Sequence, residues 1–132
     1  VGTNDAHCSY DAFDPLVYKA NLEKLILQIL ESNPNCAILL TVPNDDYYMR
    51  KYPNRNTARQ REVIFQLAAQ YQMAVWDFYG IMGELGSSKT WKTAGLMQAD
   101  YVHFTGTGYH LKGTLLIEAF KKNLSSLHNL RN

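Results

Sequence analysis

The sequence predicts an α/β domain with a parallel sheet and helices on both faces. Two observations carry this. Short, nearly continuous apolar runs alternate with longer stretches of helical apolar spacing, and that order reads as a run of right-handed crossover units. The 132 residues are 46% hydrophobic and 19% charged, which is the composition of one globular domain.

Asp14 to Glu31 opens the pattern. Val17, Ala20, Leu25, Ile29 and their neighbours recur at three- and four-residue spacing, with Lys19, Glu23 and Lys24 largely on other faces, which predicts an amphipathic helix. Asp14 followed by Pro15 supplies an N-cap and first helical position, and Ser32-Asn33-Pro34-Asn35 ends the helix. Cys36 to Val42, CAILLTV, predicts a strand covered on both faces. Pro43 to Asn56 is polar, aromatic and bounded by prolines. It is expected as a loop at the carboxyl end of that strand, where open α/β sheets form their binding sites.

Helical spacing returns from Thr57 to Gln72 through Val63, Ile64, Leu67, Ala68 and Tyr71, and Met73 to Phe78 predicts the next strand. A glycine-punctuated stretch from Gly80 to Gly95 leads to DYVHFTGTGYHLKG. From Gly106 a last helix carries Leu116, Phe120, Leu124 and Leu127 on one face, with Thr105 as its cap. About three strands are expected, the first a stub at Val1-Gly2. So narrow a parallel sheet leaves an apolar strand at an edge that invites association, and a homo-oligomer formed through that edge is one expectation.

Composition also excludes several roles. A formal net charge of +1, with Lys and Arg scattered, offers no basic stripe for nucleic acid. The longest apolar runs fall short of the roughly 20 residues of a membrane-spanning helix. Cys8 and Cys36 form no disulfide framework and have no zinc-ligand spacing. No metal or organic cofactor is called for.

The chemistry gathers in two blocks. Asp100 stands three residues before His103, followed by Phe104-Thr105 and a helix opening at Gly108-Tyr109. A histidine that acts as general base needs a carboxylate on its other ring nitrogen to fix its tautomer and stabilise the imidazolium. Gly2-Thr3-Asn4-Asp5 is the other block. Alone, each motif is weak: Gly, Asn and Asp are the usual turn residues, and an Asp-x-x-His is common.

Together, and in this order, the blocks resemble the SGNH/GDSL hydrolases. Gly2-Thr3-Asn4-Asp5 matches that family's GxND block, and Asp100-Tyr101-Val102-His103 its last block. Trp76 to Asp100 is similar to the corresponding segment of bacterial peptidoglycan or polysaccharide O-acetylesterases. The resemblance spans essentially the whole chain, 1–132, as the C-terminal portion of a single three-layer α/β/α flavodoxin-like domain with a truncated parallel sheet. It implies a serine esterase in which Asn4 donates to the oxyanion, His103 is the base and Asp100 orients it. The implied substrate is a small-molecule or glycan ester, with acetyl favoured, and the implied location is secreted or periplasmic.

The nucleophile is where the chain departs from the family. The GDS block and the oxyanion glycine are expected N-terminal to Gly2, and Ser9, Ser32, Ser87, Ser88, Ser125 and Ser126 lie outside any GDS context. Ser87 and Ser88 read as a solvated loop, His7 as a solvated histidine after Asn4, and Cys8 as an idle thiol and not a substitute nucleophile. His110 and His128 read as surface residues of the last helix. Trp91 and the Tyr47-Tyr48 pair are candidates for a substrate wall, with core packing the rival reading for Trp91. Two alternatives stay open: a non-catalytic pseudoenzyme or carbohydrate-binding fragment, and an active site completed by another chain.

Overall fold

A computed structural model describes residues 2–129, with side chains described to residue 125. After a single helical turn, α1 (Thr3–Ala6), and a 3-10 turn (Tyr10–Ala12) comes α2 (Pro15–Ser32), followed by β1 (Leu39–Val42). A small antiparallel hairpin, β2 (Tyr47–Tyr48) and β3 (Tyr52–Pro53), precedes α3 (Asn56–Gln70) and β4 (Ala74–Asp77). Two short helices, α4 (Phe78–Met82) and α5 (Ser87–Thr93), lead to the long α6 (Gly106–Asn129).

The cap expected for α2 is in place: Asp14 Oδ1 accepts from the backbone N–H groups of Leu16 (2.8 Å) and Val17 (3.3 Å). The residues named for the helical spacing are not the ones that face inward. Tyr18, Leu22 and Ile26 point inward, whereas Val17, Leu25 and Ile29 are exposed, as is Ala20. Both stripes are apolar at helical spacing; the one that meets α3 is the one that is covered. It packs against Val63, Ile64 and Leu67, the face of α3 that the spacing did predict.

β1 and β4 pair in parallel, Leu39 opposite Ala74 through Val42 opposite Asp77. They are joined through α3, which packs against both strands. Trp76 and Phe78 meet Leu115, Leu116 and Ala119 of α6 in a second core cluster. The layers are therefore helix, sheet, helix, as expected. Two parallel strands stand where three were expected. Gly2 leads straight into α1, and Val1, half of the expected stub, lies outside the described residues.

α6 departs from its predicted face as well. Leu115, Leu116 and Ala119 are half-buried, while Phe120 and Leu124 are exposed; the side chain of Leu127 lies outside those described. Because the sheet is only two strands wide, α6 overhangs its edge. Leu39, Val75, Trp76, Leu116 and Phe120 line the resulting groove of about 430 Å³. Thr105 caps the helix through Oγ1, which accepts from the Gly108 N–H at 3.2 Å. Gly108 is required there, since a Cβ would run into the Leu96 carbonyl oxygen.

Candidate active site

Three segments converge at the carboxyl end of β1. Pro43 and Asn44 continue directly from Val42. Pro43 lies against Gly2, where a Cβ would sit 3.9 Å from its ring, and the Asn44 side-chain amide donates to the Val102 carbonyl at 3.3 Å. The GTND segment and the Asp100–His103 segment are thus brought to the same strand end, about a hundred residues apart in sequence. This is the end at which open α/β sheets place their ligands.

Within the last segment His103 Nδ1 donates to Asp100 Oδ2 at 2.8 Å. The other carboxylate oxygen accepts from the backbone N–H groups of Val102 (2.9 Å) and His103 (3.0 Å). Partial burial pushes the Asp100 pKa up, but these bonds from His103 and Val102 outweigh it and bring the carboxyl down to about 2. An ionised carboxylate only accepts, so Nδ1 carries the proton and Nε2 is the ring nitrogen left for chemistry. His103 is exposed.

The turn that makes this pair is strained. Tyr101 has φ 59°, a conformation non-glycine residues rarely adopt. Its ring is fixed from two sides, stacked on Tyr47 with centroids 4.8 Å apart and hydrogen-bonded at its hydroxyl by Lys92 Nζ at 3.1 Å. Tyr47 is thereby a neighbour of the Asp100–His103 turn, as its reading as a substrate wall requires. Trp91 is half-buried against the second core cluster: Nε1 donates to the Met82 carbonyl at 3.0 Å, and its ring meets those of Phe78 and Phe104 in T-shaped contacts.

Asn4 is exposed, on a segment tied to the rest of the fold by side-chain amides of the loop after β3 and of α3. Gln60 Nε2 donates to the Gly2 carbonyl (2.9 Å) and Asn54 Nδ2 to that of Ala6 (2.9 Å). Asn56 Nδ2 reaches the carbonyls of Ala6, Cys8 and Ser9 at 3.2–3.3 Å. Asn54, Asn56 and Gln60 are all buried. A segment with so little regular structure satisfies its carbonyls in this way instead of through a ladder.

Residues 1–111 match the sequence profile of the GDSL-like lipase/acylhydrolase family. The chain belongs to this family. Among solved structures it is similar to a peptidoglycan O-acetylesterase, with TM-score 0.83 and 25% identity over 95% of this chain and 36% of that one. It is also similar to the lipase/acylhydrolase of Enterococcus faecalis, with TM-score 0.65 and 25% identity over 92% of this chain and 58% of that one. The esterase domain of the zebrafish ZfL2-1 retrotransposon ORF1 protein shares the fold at TM-score 0.60 and 16% identity, over 92% of this chain and 66% of that domain. The chain spans less than two thirds of each of these proteins. No curated protein sequence matches it.

Seen as part of a GDSL-family fold, several residues take places other than those their sequence context implied. Ser87 and Ser88 are buried, not solvated. Ser88 N–H donates to Asp45 Oδ2 (2.9 Å) and Ser88 Oγ to the Asp45 carbonyl (2.6 Å), because α5 begins against the buried loop after β1. Burial pushes the Asp45 pKa up, and the bonds from Ser88 oppose it. His7 is not a free surface residue either: its Nδ1 lies 3.0 Å from Oδ2 of Asp46, which is 1% exposed. Burial pushes the Asp46 pKa up, with the His7 hydrogen bond pulling the other way. Asp45 and Asp46 were missed as buried groups, since in sequence NDDYY reads as part of a polar loop.

Cys8 and Cys36 are free and half-buried. The Asn56 amide lies 3.7 Å from Cys8 Sγ. His110 is exposed on α6, and the side chain of His128 lies outside those described. Among the described residues no cluster of His, Cys, Asp and Glu could hold a metal ion, and no helix is long and apolar enough to cross a membrane.

Proposed function

We propose that this chain is the C-terminal part of a serine acylhydrolase domain that removes acetyl groups from a glycan. The observation that carries the reading is the 2.8 Å bond between His103 Nδ1 and Asp100 Oδ2, on a carboxylate held at about 2. Such a pair fixes the proton-bearing nitrogen as Nδ1 and turns Nε2 toward the reaction, the orientation a general base needs. The acetyl glycan is favoured by the TM-score of 0.83 to a peptidoglycan O-acetylesterase.

In this mechanism an upstream serine hydroxyl attacks the ester carbonyl as His103 Nε2 takes its proton. The tetrahedral oxyanion receives a hydrogen bond from the Asn4 side-chain amide, a contribution of roughly 3 kcal/mol per donor in such sites. His103 then passes the proton to the departing sugar oxygen, and the acyl-serine forms. Water, deprotonated by the same imidazole, attacks the acyl carbon; the bond to serine breaks, the imidazolium returns the proton to the serine oxygen, and acetate leaves. Asp100 stays ionised and stabilises the imidazolium at each step. Upstream strands would continue the two-stranded sheet and cover the apolar groove beside α6. A glycan substrate of this kind fits an enzyme acting in the cell envelope or outside the cell.

The test is hydrolysis of a short-chain aryl acetate by this chain, by a form extended upstream to include a GDS serine, and by the extended His103→Ala variant. Activity confined to the extended form and abolished in His103→Ala supports the reading. An extended form inert on all short acyl esters overturns it in favour of a non-catalytic homologue. Activity of the short chain alone, lost in His103→Ala, would move the nucleophile to within residues 1–132.

A further inference from the structure

A second imidazole is held by a carboxylate of the loop that follows β1. His7 Nδ1 meets Asp46 Oδ2 at 3.0 Å; the Asp46 side chain is 1% exposed and that of His7 31%. The Tyr48 ring packs edge-on against the imidazole at 5.6 Å. With Nδ1 engaged and one face walled, Nε2 is the ring nitrogen left for an outside partner. A fully buried acid that holds a partly exposed imidazole in one orientation resembles a binding group more than a surface ion pair.

The position ties this pair to the catalytic segments at both ends. His7 follows Asn4 by one turn, its N–H bonded to the Thr3 carbonyl at 2.9 Å. Asp46 sits between Asn44, whose amide holds Val102, and Tyr47, whose ring stacks on Tyr101. The elements that fix Asp100–His103 therefore also fix His7–Asp46.

We propose that His7, oriented by Asp46, is a substrate-binding residue whose Nε2 hydrogen-bonds a hydroxyl of the sugar that bears the ester. It thereby selects sugar alcohols over simple aryl alcohols. This rests on the esterase reading above. A hydroxyl both donates and accepts, so either protonation state of Nε2 can engage it. His7 performs no proton transfer in the reaction; it places the alcohol side of the ester while His103 works on the carbonyl.

The experiment compares His7→Ala and His7→Phe with the parent in the upstream-extended protein, on an aryl acetate and on an O-acetylated amino-sugar disaccharide. His7→Phe keeps a ring against Tyr48 but has no hydrogen-bonding nitrogen. The expected result is aryl acetate turnover within about twofold of the parent for both variants, with KM for the disaccharide raised about tenfold or more and kcat little changed. Equal losses on both substrates would mean a structural role, and overturn the proposal. So would full disaccharide activity in His7→Phe. If the parent hydrolyses neither ester, the esterase reading fails separately. Titration of the 132-residue chain with the disaccharide, followed at the His7 imidazole nitrogens by NMR, then decides: a saturable shift at Nε2 supports sugar binding, and no shift overturns it.

Discussion

The ring of Tyr47 lies 4.8 Å from that of Tyr101, with their planes 28° apart, so the loop after β1 braces the turn that joins Asp100 to His103. Tyr101 holds φ 59°, a conformation whose cost to a tyrosine is of order 1 kcal/mol or more. The stack and the Lys92 contact, with Nζ 4.4 Å from the Tyr101 ring centroid, offset it. Tyr47→Ala and Tyr101→Ala are each expected to destabilise by about 1 kcal/mol, and a double-mutant cycle should return a coupling of about 0.5–1.5 kcal/mol. Denaturant unfolding of the four proteins measures this. Purely additive losses would mean that the stack contributes nothing.

Acid should loosen the Asp100 turn before the core. The Asp100 carboxyl lies at about 2, below its ordinary 3.8. Its stabilising contribution is therefore fully present above about pH 4 and is lost as pH falls toward 2. Asp45 and Asp46 run the other way, because burial raises both and the neutral forms favoured at low pH cost less to bury. Protection against hydrogen exchange at the Val102 and His103 amides, both bonded to Asp100 Oδ1, taken relative to the intrinsic rate at each pH, should fall through that window in the parent. In Asp100→Asn it should be low throughout. In the extended enzyme the same substitution permits the wrong tautomer of His103 and is expected to lower kcat by on the order of 10³–10⁴.

Much of this arrangement was legible locally, and what was not depended on distant partners. The α2 cap at Asp14, the Thr105 cap and the Asp100–His103 pair are all made by residues within three positions of one another, so sequence alone could place them. The buried face of α2 could not be chosen that way, because the helix is apolar on more than one side and only the position of α3 decides. Burial of Asp45, Asp46 and Ser88 was invisible for the same reason. Asp46 meets His7 39 positions away and Asp45 meets Ser88 43 positions away, and no local pattern announces such contacts.

Two substitutions separate the stripes of α2. Leu22 is 6% exposed and belongs to the core with Val63 and Leu67, so Leu22→Ala should cost about 3 kcal/mol through lost burial and the cavity left behind. Val17, 55% exposed, should change stability by no more than about 0.5 kcal/mol when replaced by Ala. Thermal unfolding of both variants checks the ranking. A larger loss for Val17→Ala would restore the face that the apolar spacing first suggested.

The hairpin between β2 and β3 escaped the sequence reading because it lacks a glycine or asparagine at its turn. Met49 and Arg50, in the three-residue loop between Tyr48 and its partner Tyr52, adopt φ 53° and 58°, positive angles that tight turns normally assign to Asn and Gly. Arg50 N–H bonds the Tyr47 carbonyl and Lys51 N–H that of Tyr48, both at 3.2 Å. The turn therefore closes despite the side chains, at a cost of roughly 1 kcal/mol per residue. Both residues are exposed, so exchanging them removes strain without opening the core. Met49→Asn with Arg50→Gly is expected to stabilise the protein by about 1 kcal/mol, read as a rise in Tm of several degrees. Tyr47 and Tyr48 lead into this turn and pack against Tyr101 and His7; with the hairpin kept, the same exchange should leave ester turnover by the upstream-extended protein intact. A drop in turnover alongside higher stability would mean that the strained turn itself sets the angle of the two tyrosines.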